Sequence, residues 1–176
     1  RRVRGGGALT WWRAGGSPRA VLRAVRGPLL GGLGTSSNFA TIPSALEAAA
    51  GGLRRDRVGV NLLVPLGVSL CLPGSALYFA LAALFMAQLY GVPLGAEQYL
   101  VVAIGSALAA VAASDARGMA GIGTVALVLD PLGLPVSVAV ILLSVVDPLV
   151  DPAVTVADVQ GNLTATALVV GKAEGV

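Results

Sequence analysis

Four polar side chains near the C-terminus lie at helical spacing within an otherwise apolar segment. Asp151 and Thr155 are four residues apart, and Asp158 and Asn162 repeat that spacing. Residues three or four positions apart share one face of a helix, so this face would carry two carboxylates, a hydroxyl and an amide. Carboxylates among apolar residues are costly and are typical of binding sites for solutes or ions. The alternative is an Asp that caps a helix or satisfies other polar groups of a helix bundle.

A second polar run, GTSSNFATIP, separates two short apolar segments. Its Ser36, Ser37 and Asn38 offer hydroxyl, amide and backbone donors. A helix beginning near Ile42 would add positive potential toward a bound carboxylate. We therefore predict that this run contacts a solute, while an ordinary polar loop is the alternative.

A third polar run, SDARGMAGIG, contains the one basic residue deep in the apolar part of the chain, Arg117. We expect Arg117 and the adjacent Gly118 to face a solute, with the guanidinium acting as a cation for an acidic group. A local ion pair between Arg117 and Asp115, two residues away, is the alternative.

Composition excludes several functional classes. Of the 176 residues, 56% are hydrophobic and 12% are charged, whereas a soluble domain carries roughly 25% charged residues. There is no histidine, and Cys71 is the single cysteine. Ser-His-Asp catalysis, histidine-ligated metals and disulfides are therefore excluded. No nucleophile–base pair can be assembled from these residue types, so the sequence predicts a protein that is not an enzyme.

Charged residues are concentrated at one end of the chain. Ten of the twelve basic residues lie within the first 57 positions, and Glu97 is the one charge between Arg57 and Asp115. Positive flanks beside long apolar segments are typical of the cytoplasmic side of a membrane. No basic face accompanies a soluble core, so a nucleic-acid partner is not expected. The sequence predicts a multi-pass integral protein of an inner or plasma membrane, surrounded by lipid.

The apolar pattern divides the chain into five parts of one domain. A basic flank (1–16) precedes a helical hairpin (17–52), a broken transmembrane helix (53–92), a second hairpin (96–130) and a final transmembrane region (131–176). Each hairpin arm is shorter than the about 20 apolar residues that span a bilayer. Because both tips are also too polar to face lipid, both hairpins are expected to be re-entrant, with their tips near one pocket.

Between the two hairpins, residues 58–90 are 33 residues without a charge, which is too long for one untilted span. The run CLPGS, beginning at Cys71, interrupts it, because proline removes a backbone donor and glycine loosens a helix. A hairpin followed by a spanning segment thus occurs twice. This order indicates an all-α membrane protein with an inverted repeat and a transporter site near the bilayer midplane.

The segments resemble the dicarboxylate/amino acid:cation symporter family, which includes the glutamate transporters. The resemblance covers roughly residues 17–175 and rests on three runs in order: GTSSNFATIP, LVPLGVSLCLPGSALYFALAALFMAQ and DPLVDPAVTVADVQGNLTATALVVGKAEG. These runs are similar to the family's serine-rich hairpin tip, to its helix around the NMDGT motif and to its last helix. The resemblance implies an elevator-type transport domain for a small organic solute, in a longer chain that also has N-terminal scaffold helices and assembles as a homotrimer.

The resemblance also implies roles for individual residues. Asp151 would hold the amino group of the solute, and Thr155 and Asp158 would add polar contacts to it. The coupling ion would be Na⁺ or H⁺, with no other cofactor. Ligands for sodium are implied at five positions: Gly67, Cys71, Ser75, Asp158 and Asn162.

The chain departs from the family pattern at coordinating positions. Val154 stands where the family has the arginine that pairs with acidic solute side chains, and Cys71 and Pro73 replace the Asn and Asp of NMDGT. Asp158 and Asn162 exchange the family's Asn and Asp, which moves one carboxylate by a helical turn, about 5–6 Å. An ionised Asp158 would repel the carboxylate of a solute unless it is protonated or paired.

The sequence therefore predicts a symporter for a small amino acid or carboxylic acid, neutral rather than acidic, with altered or reduced sodium coupling. The alternative is a non-transporting or degenerate relative of the same fold that acts as a binding or sensory membrane protein. The losses at the Cys71-Leu72-Pro73 motif, Val154 and Asn162 favour degeneration or altered coupling, whereas Asp151, Thr155 and both tips favour an active site.

Overall fold

The structure, a computed structural model, describes residues 18–114 and 119–171. These residues form helices and short connections, which confirms the prediction of an all-α protein. The helices are α1 Pro18–Thr35, α2 Ile42–Glu47, α3 Arg57–Leu70, α4 Pro73–Leu89, α5 Ala96–Ala112, α6 Met119–Gly123, α7 Ala126–Leu129 and α8 Val136–Val169. Two 3₁₀ turns, Phe39–Thr41 and Asp130–Leu132, and one π turn, Ala48–Gly52, complete them.

The first hairpin consists of α1, the tip that follows it, α2 and the π turn. Helix α1 ends where Ser36 takes a left-handed backbone conformation with φ of 49°, and the Ser36 N–H donates to the Gly32 carbonyl at 2.9 Å. A residue in this conformation is a common helix terminator. The two arms then approach closely at Gly52, which has no Cβ. A Cβ added there would lie 2.5 Å from the Cβ of Ala24.

The second hairpin consists of α5 and the return segment α6–α7. A Cβ on Gly105 of α5 would lie 3.2 Å from the carbonyl oxygen of Leu127 in α7, so a small residue is needed where these arms meet. Within the predicted tip of this hairpin, SDARGMAGIG, residues 115–118 lie outside the described residues, as does the basic flank 1–16.

The broken helix occurs where the sequence predicted it. Helix α3 ends as the Cys71 N–H donates to the Gly67 carbonyl at 2.8 Å, and Leu72 has a non-helical conformation with φ of −118° and ψ of 59°. Helix α4 starts at Pro73. Proline suits the first position of a helix because that position needs no N–H donor.

The last helix, α8, is continuous over 34 residues although Pro148 and Pro152 lie inside it. Its length of about 51 Å exceeds the about 30 Å core of a bilayer. By length and composition, two segments of the described chain can cross a membrane: α8, and the segment Arg57–Leu89 that contains α3 and α4.

Two apolar clusters lie at opposite ends of the described helices. One joins α4, α5, α7 and the start of α8, around Met86, Val128 and Ala139. The other joins α1, α2, α3 and the end of α8, around Val60 and Leu163. Between them, the middle of α8 buries polar side chains in place of apolar ones, so the fold itself leaves a polar region at its centre.

Candidate solute-binding site

A cavity of about 140 Å³, lined by both polar and apolar side chains, lies where the tip of the first hairpin, the start of α4 and the middle of α8 meet. Ser114 and Gly121, on either side of the undescribed tip of the second hairpin, also line it. The described polar side chains that line the cavity are Ser36, Asn38, Ser75, Tyr78, Ser114, Asp147, Asp151, Thr155 and Asp158. The volume suits a solute of a few heavy atoms, smaller than a drug-sized ligand.

The structure brings most of the candidate residues together. Ser36, Asn38, Asp151, Thr155 and Asp158 line the main cavity. The other three candidates for solute contact do not line it. Ser37 lies outside the lining, and its hydroxyl oxygen accepts a hydrogen bond from the Ala40 N–H at 3.2 Å. Arg117 and Gly118 lie outside the described residues.

Four of the five residues implied as sodium ligands line a second, much smaller cavity of about 10 Å³. Gly67, Cys71 and Asn162 line it, together with Asn38 and Asp158, which also face the main cavity. Ser75 lies on the main cavity only. Among the described residues, no group of three His, Cys, Asp or Glu side chains is arranged to hold a metal ion.

Asp158 is buried, with 2% of its surface exposed, and its carboxylate accepts four hydrogen bonds. Oδ1 accepts from the backbone N–H of Gly74 at 2.7 Å and of Ser75 at 3.1 Å. Oδ2 accepts from the Ser75 hydroxyl at 2.6 Å and from Asn38 Nδ2 at 3.2 Å. A carboxylate has about four lone-pair positions, so this arrangement uses all of them.

Two of these bonds cap helix α4. The first N–H groups of a helix have no partner within the helix, and Leu72, at the N-cap position of α4, makes no side-chain capping bond. Asp158 supplies that cap from another helix. Negative charge is favourable there because the helix dipole is positive at its N-terminus.

Asn162 is also buried and is held by its own hydrogen bonds. Its Nδ2 donates to the Val64 carbonyl at 2.9 Å, and its Oδ1 accepts from the Thr166 hydroxyl at 3.4 Å. Its amide lies directly against Gly67, where an added Cβ would overlap Oδ1 and the amide carbon. Gly67 is therefore the residue that lets α3 and α8 approach at this level.

Asp151, Val154 and Thr155 form the wall that α8 contributes to the cavity. Thr155 is 3% exposed, and an added Cβ on Gly32 of α1 would lie 3.2 Å from its Cγ2. The glycine lets α1 pack closely against this wall. An acceptor carboxylate and a hydroxyl on one helix face suit a ligand that carries an ammonium group.

Sequence reasoning missed two residues of the cavity. Tyr78 and Asp147 line it, and the Tyr78 hydroxyl oxygen is shielded from solvent without a hydrogen bond of ordinary geometry, although it lies near Asp147. One signal was available for Asp147, which precedes Asp151 by four residues on the same helix face. For Tyr78, the available signal was its position three residues after Ser75, which places both side chains on one face of α4.

A cavity lined by polar residues, between apolar helices long enough to cross a membrane, is an arrangement typical of membrane transport proteins. The model of the sodium:dicarboxylate symporter family matches residues 7–172. The chain therefore belongs to the sodium:dicarboxylate symporter family, and it is part of an integral membrane protein rather than an enzyme. The expected resemblance to the glutamate transporters is confirmed.

Related proteins include several named as excitatory amino acid transporters. One from Caenorhabditis elegans is 34% identical over 153 residues, which cover 87% of this chain and 30% of that protein. Excitatory amino acid transporter 4 of Rattus norvegicus is 31% identical over 87% of this chain and 27% of its own length. Excitatory amino acid transporter 2 of Homo sapiens is 35% identical over 130 residues, which cover 74% of this chain and 22% of that protein. The chain thus spans less than a third of the length of these relatives.

Proposed function

We propose that the complete protein is a secondary active symporter that moves a small neutral amino acid across a membrane. The observation that carries the proposal is Val154 on the cavity wall, beside Asp151 and Thr155. Asp151 and Thr155 would hold the ammonium group of the solute. Valine offers no cation to an acidic side chain, whereas its apolar surface suits an aliphatic or small polar one.

The complete protein would also share the hairpin, transport-domain and trimer architecture that the resemblance implies. Both hairpins are re-entrant, the described helices belong to a transport domain that moves as an elevator, and scaffold helices N-terminal to this part support a homotrimer in a plasma or inner membrane. The support is the family membership and the order of a hairpin and a long helix, which occurs twice along the chain.

The residues present do not fit the sodium ligands that the resemblance implies. Sodium prefers oxygen ligands with free lone pairs. The four acceptor positions of Asp158 are filled by donors, and Asn162 directs an N–H₂ group toward the Val64 carbonyl. Pro73 has no side-chain oxygen. We therefore propose that coupling uses protons or fewer sodium ions than the family pattern implies.

Uptake into proteoliposomes by the purified full-length protein tests the proposal. We expect alanine or serine to be accumulated in preference to aspartate and glutamate, because the cavity wall lacks the arginine. We also expect uptake to persist when choline replaces sodium and to rise with an inward proton gradient. Empty liposomes with the same gradients are the control. Uptake that stops without sodium would contradict proton coupling, and a sodium stoichiometry equal to that of the family would contradict reduced coupling.

The same assay separates transport from the alternative function. A solute that binds to the detergent-solubilised protein without being accumulated under any gradient would favour the binding or sensory role. High-affinity aspartate uptake by the unmodified protein would show that the inference from Val154 is wrong.

Asp158→Asn tests whether Asp158 carries a coupling proton. Buried carboxylates within membranes are typical of proton relays, and Asp158 is the buried carboxylate of the described site. If it carries the coupling proton, Asp158→Asn should abolish the pH dependence of uptake while exchange of solute across the membrane survives. Unchanged pH dependence in this variant would contradict a role for Asp158 in proton coupling.

A further inference from the structure

We propose that Asp158 is a positioning residue, which ties the tip of the first hairpin to the start of α4 and leaves contact with the solute to other side chains. The inference deepens the proposed function, because it assigns one residue of that site a structural task. Its central observation is that one carboxylate accepts hydrogen bonds from two parts of the chain that are far apart in sequence. Gly74 lies 84 positions before it and Asn38 lies 120 positions before it.

The bond from Asn38 sets the position of the tip. The Asn38 carbonyl accepts from the Thr41 hydroxyl at 2.6 Å, so the side chain that reaches Asp158 belongs to the same turn that closes the tip. Thr41 is 2% exposed and packs near Gly31 and Gly32 of α1. Release of Asn38 from Asp158 would free this turn from α8 and expose Thr41 to water.

The tie is the set of hydrogen bonds by which Asp158 joins Asn38 to the start of α4. It includes an electrostatic contribution, because the negative carboxylate caps the helix. The carboxylate lies on the positive end of a 17-residue helix, a position that in many binding sites is taken by an anionic ligand. Here the chain fills it with its own carboxylate. A solute anion would have to displace Asp158 from Gly74 and Ser75, which favours placement of the solute carboxylate elsewhere in the cavity.

Asn38 also shows which substitutions preserve the tie. Its Oδ1 is buried and has no hydrogen-bond partner, so a rotated amide could present Oδ1 to a donor at position 158. Asp158→Asn therefore keeps a tip bond, with Asn38 as acceptor, and keeps an oxygen for the N–H groups of Gly74 and Ser75. Asn38→Asp instead places two carboxylates together and breaks the tie, because like charges at this distance repel.

The test is thiol labelling of the full-length protein in membranes, which needs no knowledge of the solute. The parent protein carries Thr41→Cys as the reporter and has its other cysteines, Cys71 included, replaced by alanine. We expect Asn38→Asp to raise the rate of maleimide labelling by about tenfold, the change that corresponds to about 1.4 kcal/mol. Asn38→Ala, which breaks the tie without adding charge, should raise it in the same direction.

The decisive variant is the double substitution Asn38→Asp with Asp158→Asn. It restores one hydrogen-bond donor, the amide at position 158, and one acceptor, the carboxylate at position 38. We expect its labelling rate to return to within about twofold of the parent, since a hydrogen bond to a charged group is regained. Thr35→Ala, next to the tip but away from Asp158, is the matched control and should leave the rate unchanged. A loss of stability that arose away from the contact with position 158 would not be reversed by Asp158→Asn.

Two results would overturn the inference: parental labelling rates in both Asn38 variants, or a double variant that labels as fast as Asn38→Asp alone. The outcome is independent of the proposed function. Asp158→Asn should label at the parental rate whether or not it loses pH-dependent uptake, so a failure of the positioning role and a failure of proton coupling give different results.

Discussion

Gly74→Ala is expected to destabilise the protein by about 3 kcal/mol or more, the combined cost of overpacking and of a lost hydrogen bond. An added Cβ would lie 2.5 Å from the Val154 carbonyl oxygen and 2.8 Å from the Cβ of Ala157. The backbone of α8 cannot yield as a flexible side chain does. Helix α4 would move away from α8, and the bond from the Gly74 N–H to Asp158 would be lost.

The measurement is the midpoint of thermal unfolding of the purified full-length protein in detergent. Gly34→Ala is the matched control, because Gly34 is also helical but an added Cβ meets nothing within 4 Å. Alanine has a higher helix propensity than glycine, so Gly34→Ala should leave stability unchanged or raise it slightly. Equal midpoints for the two variants would show that α4 and α8 do not pack as described.

Val154→Arg is expected to change which solutes the protein selects. A guanidinium on the cavity wall would pair with an acidic solute side chain, and hydrogen bonds to charged groups contribute about 1.5–3 kcal/mol. The half-saturating concentration for aspartate or glutamate should therefore fall by about 10- to 100-fold. Affinity for alanine should fall, because the arginine would occupy space that a neutral side chain uses.

Val154→Gln is the control for length without charge. Competition of unlabelled aspartate against labelled alanine, measured in proteoliposomes with each variant, gives the comparison. We expect the glutamine variant to lose alanine affinity without gaining aspartate affinity. An arginine variant that gains no affinity for acidic solutes would mean that position 154 does not face the bound solute.

The sequence determined the class of the protein and the places where its helices are interrupted. Helical structure follows from long apolar runs, and the break before Pro73 follows from the chemistry of proline at the start of a helix. Ser36 and Asn38 were recognisable because a polar run between two short apolar segments needs a buried or wet environment. These properties are local, so spacing and residue type were enough to predict them.

Two features of the helices were decided by tertiary packing. Sequence rules expect a proline to end or kink a helix, yet α8 continues through Pro148 and Pro152. Its two ends pack against separate apolar clusters, and the helix continues between them. The place of Tyr78 and Asp147 in the cavity likewise depends on how α4 crosses α8.

The role of Asp158 shows the limit of sequence reasoning most clearly. Its position on the polar face of α8 predicted a carboxylate near a bound solute or ion. Its place as the cap of α4 depends on donors 83, 84 and 120 positions away, and no local pattern records them. The sequence determined that a charge lies within the membrane part of the chain. Only the folded arrangement decided that four donors surround it, because hydrogen bonds between distant segments form when the helices pack.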